Sequence, residues 1–230
     1  MRYLLKKIFS NKILSSRLIK IVLKLHNISY KLAAFFGSSL QGYHPKHDII
    51  KYEEWFKNNI NEDDLVLDIG CNTGMMTHSM SFKAKYVYGI EIESKYIKIA
   101  KSLRQKENIL YICADATCYD YSDLSPISVI TLSNVLEHIE NRVDFLKNII
   151  GQIQWKKNDN KKILIRVPMI GREWITIYKK NLGVEYRLDD THHIEYTIED
   201  LENELNLSGI DILSHKINYG EIYALCKVSN

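Results

Sequence analysis

The stretch RLDDTHHIEYT, residues 187–197, sets adjacent carboxylates, Asp189 and Asp190, beside adjacent imidazoles, His192 and His193. Such groups could hold a divalent cation or move a proton. Neighbouring side chains on an extended chain point to opposite sides, so the four cannot all converge on one ion. Metal ligands also come more often from separated segments. No metal is therefore expected, and one imidazole, His192 or His193, is expected to act as a base or to touch an acceptor. Thr197 with Glu199 and Asp200 reads as a helix start, threonine capping and acids near the positive end. His138, in LSNVLEHI, is a third candidate base and could instead shape a helix start.

A second set of residues follows short apolar runs. In LVLDIGCNTGMMTH, Gly70 and Gly74 permit a tight turn and close backbone approach to a ligand. A glycine-rich turn between a first strand and a helix is where open α/β sheets bind nucleotide-like ligands. Asp68 would repel a pyrophosphate there but attract an amine. The Lys–Ser/Thr ending of a phosphate-binding loop is missing. Glu91, Asp115 and Asn134 close later apolar runs. Singly they read as a strand end, a helix cap and a turn residue; in this order they would line one crevice.

The elements that must position these groups alternate. LVLDIG, YVYGIEI, ILYICAD, SVITLSN and KILIRVP read as strands, separated by helical stretches such as Ser94 to Arg104 and NRVDFLKNIIGQI. That order means crossover units and a parallel sheet buried on both faces. A helix over 50–60 precedes them. After Pro168 comes a polar, aromatic-rich insertion over 168–197, then a helix from Ile198 to Leu207. IDILSHKI and EIYALCKV, joined at Asn218-Tyr219-Gly220, read as an antiparallel hairpin. The expected fold is α/β: a doubly wound, mostly parallel seven-stranded sheet with that hairpin and an N-terminal helical extension.

The extension, 1–48, differs in charge from the body, 49–230. Nine of the 31 Lys and Arg residues and no acid precede Asp48, leaving 22 basic against 28 acidic residues from Asp48 onward. Leu14, Leu18, Ile21, Leu25, Ile28, Leu32 and Phe35 recur at helical spacing, with Lys12, Arg17, Lys20, Lys24 and Lys31 interspersed. Such a helix suits either a protein surface, including a second copy of the chain, or an anionic membrane surface. It is expected to end at Gly37-Ser38-Ser39. No run is long and apolar enough for a spanning helix, and no signal-peptide pattern is present. The four cysteines form no CxxC pair, which suits a reducing cytoplasm.

VLDIGCNTG, YGIEIE, ICADA and LSNVLEHI resemble the ordered motifs of the class I S-adenosylmethionine-dependent methyltransferases, over about residues 45–225. The resemblance implies S-adenosylmethionine as cofactor. It implies cofactor contacts from Asp68, Gly70, Cys71, Asn72, Gly74, Glu91 with Ile92 (ribose), Asp115 with Ala116 (adenine), and Asn134. Asn72 departs from the pattern, standing where many members have glycine. The 189–197 stretch resembles the acceptor-side segment of sugar and quinone methyltransferases. Gly42-Tyr43-His44-Pro45-Lys46-His47 is similar to a lead-in of glycan-cluster members that would close over the cofactor. Arg166, Arg172 and Trp174 could meet an acidic or ring-shaped acceptor. The implied activity is cytoplasmic O-methylation of a sugar of a surface glycan or its nucleotide- or lipid-linked precursor, and the basic helix would bring it to the inner face of the membrane. A quinone or other lipophilic acceptor is the alternative. A nicotinamide-dependent oxidoreductase or a non-catalytic scaffold are the readings from other classes. No nucleic-acid partner is expected, because the body is acidic.

Overall fold

The computed structural model describes residues 12–42, 44–157 and 161–229. In chain order these form α1 (Lys12–Gln41), α2 (Lys46–Ile50), α3 (Tyr52–Asn58), β1 (Leu65–Ile69), α4 (Met75–Met80), β2 (Tyr86–Glu91), α5 (Ser94–Leu103) and β3 (Ile109–Cys113). Then come β4 (Val129–Ser133), α6 (Arg142–Gln152), β5 (Lys162–Pro168), α7 (Trp174–Asn181), α8 (Ile198–Leu207), β6 (Ile210–Asn218) and β7 (Glu221–Val228). The chain divides into two compact units, Met1–Ile50 with Gly171–Leu188 and Lys51–Ile170 with Asp189–Asn230. The sequence suggests a boundary at 48/49 and one body containing 168–197. In the structure that segment is instead shared, its 171–188 part belonging with α1.

The larger unit holds one seven-stranded sheet in the order β3-β2-β1-β4-β5-β7-β6. The first five strands run parallel, and β7 is antiparallel to both β5 and β6. This is the architecture expected from the sequence. Central strands are apolar along their length because helices cover both faces. Leu67, Ile130 and Ile163 meet Phe145, Leu146 and Ile149 of α6 and Leu201 and Leu205 of α8 in one core. The hairpin turns through Tyr219 and Gly220, both at positive φ, the backbone of a two-residue turn whose twist matches its strands.

An ion pair sits inside this packing. Arg166 of β5 is 7% exposed, stacks on the Tyr52 ring at 3.8 Å and pairs with Glu221 at 3.5 Å. Its guanidinium is thus committed to the fold and not offered to an acceptor, contrary to expectation. Burial pushes the Tyr52 phenol up to about 12.

The helix expected over 50–60 forms as α3, beginning at Tyr52 because Lys51 takes a left-handed φ of 48° after α2.

In the smaller unit α1 runs beyond Gly37-Ser38-Ser39 to Gln41. The serines stay helical because Ser38 and Ser39 donate their hydroxyls back to the carbonyls of Ala34 and Phe35, at 2.8 and 2.9 Å. Gly37 remains without a side chain because a Cβ there would lie 2.8 Å from the Pro45 ring. α1 shelters a different face from the predicted apolar stripe. Leu23 is buried, and Ser15, Ile19, His26, Asn27 and Ala34 are half-buried. On the other side, Ile21, Leu25, Ile28 and Phe35 are 53–64% exposed. Arg17, Lys20, Lys24 and Lys31 share one flank of this outer stripe by their spacing.

α7, not anticipated within the insertion, completes the smaller unit. Its buried Lys179 donates to the Asn27 side-chain oxygen at 2.6 Å and to His26 Nδ1 at 3.1 Å, while Asn27 donates to the Glu185 carbonyl at 2.7 Å. Burial holds the Lys179 ammonium below the usual lysine range. Arg172 donates to the Tyr186 carbonyl at 2.7 Å, and Trp174 is 76% exposed. His44 accepts the Lys46 backbone N–H at 3.1 Å, while Tyr43 of the lead-in lies outside the described residues.

Candidate active site

β2 flanks β1 on one side and β5 flanks β4 on the other, so chain direction across the sheet reverses between β1 and β4. Loops after these strands part at such a point and leave a crevice at the carboxyl ends. Ile69 pairs with Leu132, which brings the turn after Gly70 against the turn after Asn134. A Cβ on Gly70 would lie 2.6 Å from a Val135 methyl, so only glycine permits this approach.

The crevice is a cavity of about 450 Å³. Of the residues assigned to cofactor contact from the sequence, Gly70, Asn72, Glu91, Ile92, Asp115, Ala116 and Asn134 line it. Glu91 ends β2 with both carboxylate oxygens fixed, accepting the N–H of Asn72 at 3.0 Å and of Glu93 at 2.9 Å. Each oxygen keeps a lone pair for a hydroxyl. Asn72 stands at φ 50°, and its side-chain oxygen accepts the Thr73 N–H at 2.7 Å. That conformation explains its departure from glycine, since asparagine is the residue that best replaces glycine in the left-handed region. Asp115 is held by Thr117, whose N–H and hydroxyl donate to its Oδ1 at 2.9 and 2.7 Å. Asn134, also left-handed at φ 56°, has a buried Oδ1 with no hydrogen-bond partner among the described residues. Ile90, Ile92, Ala114, Val135 and Ile139 supply apolar walls.

Asp68, Cys71 and Gly74 do not line the cavity. Asp68, expected to meet an amine, is fully buried and accepts the hydroxyls of Thr77 at 2.6 Å and Thr131 at 2.8 Å. It ties the start of α4 to β4 beneath the loop. Burial raises its carboxyl to about 6 against the pull of those two hydroxyls. Cys71 is buried under the loop, and burial pushes its thiol far up. Gly74 opens α4 at φ 80°, and a Cβ there would strike the Tyr111 hydroxyl at 2.5 Å. These three shape the loop from behind.

The three imidazoles separate by position. His138 ends a short 3-10 turn, Leu136–His138, and lines both the first cavity and a second one of about 490 Å³. The second cavity has Glu140, Asn141, Asp144, Asn148 and His193 in its wall, beside Ile139 and Phe145. Glu140, Asn141 and two α6 residues, Asp144 and Asn148, were not foreseen; only the polar face of an otherwise apolar helix could have signalled the latter pair. His192 is 7% exposed and packs edge-on against His138, ring centres 4.7 Å apart. Its Nδ1 lies 3.6 Å from Glu195. Burial and the neighbouring His192 ring lower the His138 pKa. Asp189 accepts from the Thr191 N–H and hydroxyl at 2.9 and 2.8 Å, which holds its carboxyl below the usual range.

A family model described as a methyltransferase domain matches residues 67–152, from β1 through α6. A 63-residue stretch is 33% identical to the ribosomal RNA small subunit methyltransferase A of Syntrophus aciditrophicus, covering 27% of this chain and 22% of that protein. A 91-residue stretch is 28% identical to the ubiquinone biosynthesis O-methyltransferase of Coxiella burnetii, covering 39% and 38%. The chain thus spans well under half the length of these relatives. Among solved structures, the DhpI–SAH complex superposes with a TM-score of 0.61 at 15% identity, over 90% of this chain and 97% of that one. A SAM-dependent methyltransferase of Methanosarcina mazei gives 0.59 at 16%, over 76% and 97%. These likenesses are of fold. Residues 67–152 thus match a methyltransferase domain, and the fold is that of the S-adenosylmethionine-dependent methyltransferases of known structure.

Proposed function

We propose that the protein is an S-adenosylmethionine-dependent O-methyltransferase whose acceptor is a sugar of a surface glycan or of its nucleotide- or lipid-linked precursor. The observation that carries this reading is the pair of adjoining cavities sharing His138, one suited to a nucleoside and the other to a polyol. The first offers a carboxylate for two ribose hydroxyls, an Asp115 edge for an amine, and apolar walls for a base. When bound, S-adenosylmethionine supplies a methyl group on a sulfonium that is its own leaving group. The protein's part is to hold donor and acceptor in line and to take the hydroxyl proton. His193, in the wall of the second cavity, is assigned that proton. Asn141, Asn148 and Asp144 suit an array of hydroxyls, whereas a lipophilic quinone would leave these polar groups poorly matched.

The outer stripe of α1, with its basic flank, supports work beside an anionic membrane, where lipid-linked precursors reside. No helix among the described residues is long and apolar enough to cross a membrane.

Calorimetric titration with S-adenosylhomocysteine and with NADH tests the cofactor. Binding of the first near micromolar Kd is expected, and binding of NADH alone would overturn the reading. Glu91→Ala should weaken that binding roughly 10- to 100-fold, the worth of hydrogen bonds to a charged group. Methyl transfer to a panel of sugar nucleotides, lipid-linked sugars and catechol quinone precursors tests the acceptor. His193→Ala should slow transfer about 100-fold or more while cofactor binding is retained; transfer to the quinone precursors alone would move the assignment to them.

A further inference from the structure

Glu137, His138 and His192 each offer one ligand atom, and the three atoms lie within 4.8 Å of one another. Ligands around one ion, bound at about 2.0–2.2 Å, sit roughly 3–4 Å apart, so side-chain adjustments of about 1 Å would close this set. Glu137 and His138 come from the turn after β4 and His192 from the segment after α7, the separated-segment pattern of metal centres.

The surrounding hydrogen bonds fix which ring nitrogens are available. Thr191 donates its single hydroxyl proton to Asp189 at 2.8 Å, so the 2.9 Å contact from His138 Nδ1 must be donated by the imidazole. Nδ1 then carries the proton and Nε2 holds the lone pair. His192 Nδ1 lies 3.6 Å from the Glu195 carboxylate, close enough for that carboxylate to help orient the ring. Imidazoles whose orientation is held by neighbouring groups are the usual ligands of transition ions. Glu137, fully buried, supplies the anionic oxygen. The site borders both cavities, because His138 lines each of them.

We propose that Glu137, His138 and His192 bind one divalent transition ion of the Mn²⁺, Fe²⁺, Co²⁺ or Zn²⁺ class. Two imidazoles and one carboxylate suit these ions, whereas Mg²⁺ and Ca²⁺ favour oxygen-only sets. Three protein ligands leave coordination positions open toward the junction of the cavities. Resting on the methyltransferase reading, the ion's role is to hold adjacent oxygens of the acceptor and make one hydroxyl more acidic. That hydroxyl loses its proton to His193, and its oxygen forms the new bond to the methyl carbon while the sulfonium sulfur keeps the departing pair.

The test is titration of the full-length, tag-free chain with Co²⁺, followed by visible absorption and calorimetry, with S-adenosylhomocysteine binding measured in parallel. One Co²⁺ per chain is expected, with affinity reduced at least tenfold in His192→Ala and Glu137→Gln. Because a buried carboxyl can matter for folding, Glu195→Gln and Thr191→Val provide a second pair that alters only the orienting partners. Each should weaken Co²⁺ about tenfold and leave S-adenosylhomocysteine binding unchanged. Failure of Co²⁺, Mn²⁺ and Zn²⁺ to bind at millimolar concentration, or equal binding by folded variants, overturns the site. Cofactor binding without metal binding would sink the site alone; metal binding without cofactor binding would sink the methyltransferase reading alone.

Discussion

Asp68 shows how a residue can serve a ligand site without touching the ligand. Its carboxyl is buried beneath the loop and titrates near 6 in the folded protein, above the 3.8 of an unperturbed aspartate. The folded state therefore holds this proton longer than the unfolded chain. The stabilisation is complete below pH 4 and is lost as pH rises through about 6, by up to ~3 kcal/mol. Asp68→Asn cannot ionise, so the stability advantage of the native protein over it should shrink between pH 4 and pH 7. Urea midpoints at the two pH values measure this, and a difference independent of pH would refute the assignment. Asn72 makes a separate prediction. A left-handed φ costs an ordinary residue about 1 kcal/mol, so Asn72→Ala should lower stability by that amount and loosen the N–H contact to Glu91, whereas Asn72→Gly should be near neutral. Thermal melts with and without S-adenosylhomocysteine distinguish the two.

Among the elements, α8 joins the acceptor-side segment to the core. Thr197 accepts the Asp200 N–H at 3.0 Å, and Asp200 in turn accepts the Thr197 N–H at 3.0 Å, a reciprocal cap that the Thr-Ile-Glu-Asp spacing had suggested. Its loss in Thr197→Ala should cost about 1 kcal/mol, read from the urea midpoint. One turn further along α8, Glu204 receives Arg142 of α6 through both its oxygens, at 2.8 and 2.9 Å, and the Tyr196 hydroxyl at 2.9 Å. Elements of this kind were legible because their signals are local: strand runs between turns, a capping threonine, acids at strand ends. What the sequence concealed depends on chain crossings. Asp68 reads as an exposed strand-end acid until β4 and α4 bring Thr131 and Thr77 onto it. The histidine pair at 192–193 looked self-contained, yet His192 turns inward to His138 and Glu195 while His193 faces the second cavity. α7 was hidden because its buried positions, Thr176 and Lys179, are polar, and Lys179 finds its partners on α1, far away in sequence.

At the scale of the whole molecule, charge is divided between an N-terminal segment without acids and a body with an acidic excess. The outer stripe of α1 keeps Leu25 and Ile28 at 58% and 56% exposure beside the flank of Lys20 and Lys24. Lipid binding through such a face should depend on both apolar insertion and counter-charge. Cosedimentation with phosphatidylserine-rich vesicles should therefore fall sharply in Lys20→Glu/Lys24→Glu and in 0.5 M salt, and be absent with phosphatidylcholine alone. If the double variant instead changes the oligomeric state, the stripe serves a second copy of the chain.

The contacts of Lys179 with Asn27 and His26 give this helix a further property. α1 belongs with residues that the chain supplies only after five strands have been laid down, so the smaller unit is a closed loop of covalent structure and not a detachable tail. During synthesis α1 leaves the ribosome long before α7, and its inward face, His26 and Asn27 included, must wait for its partners until most of the chain has emerged. A nascent chain arrested before residue 171 should accordingly be more sensitive to proteases within 12–41 than one released past residue 188.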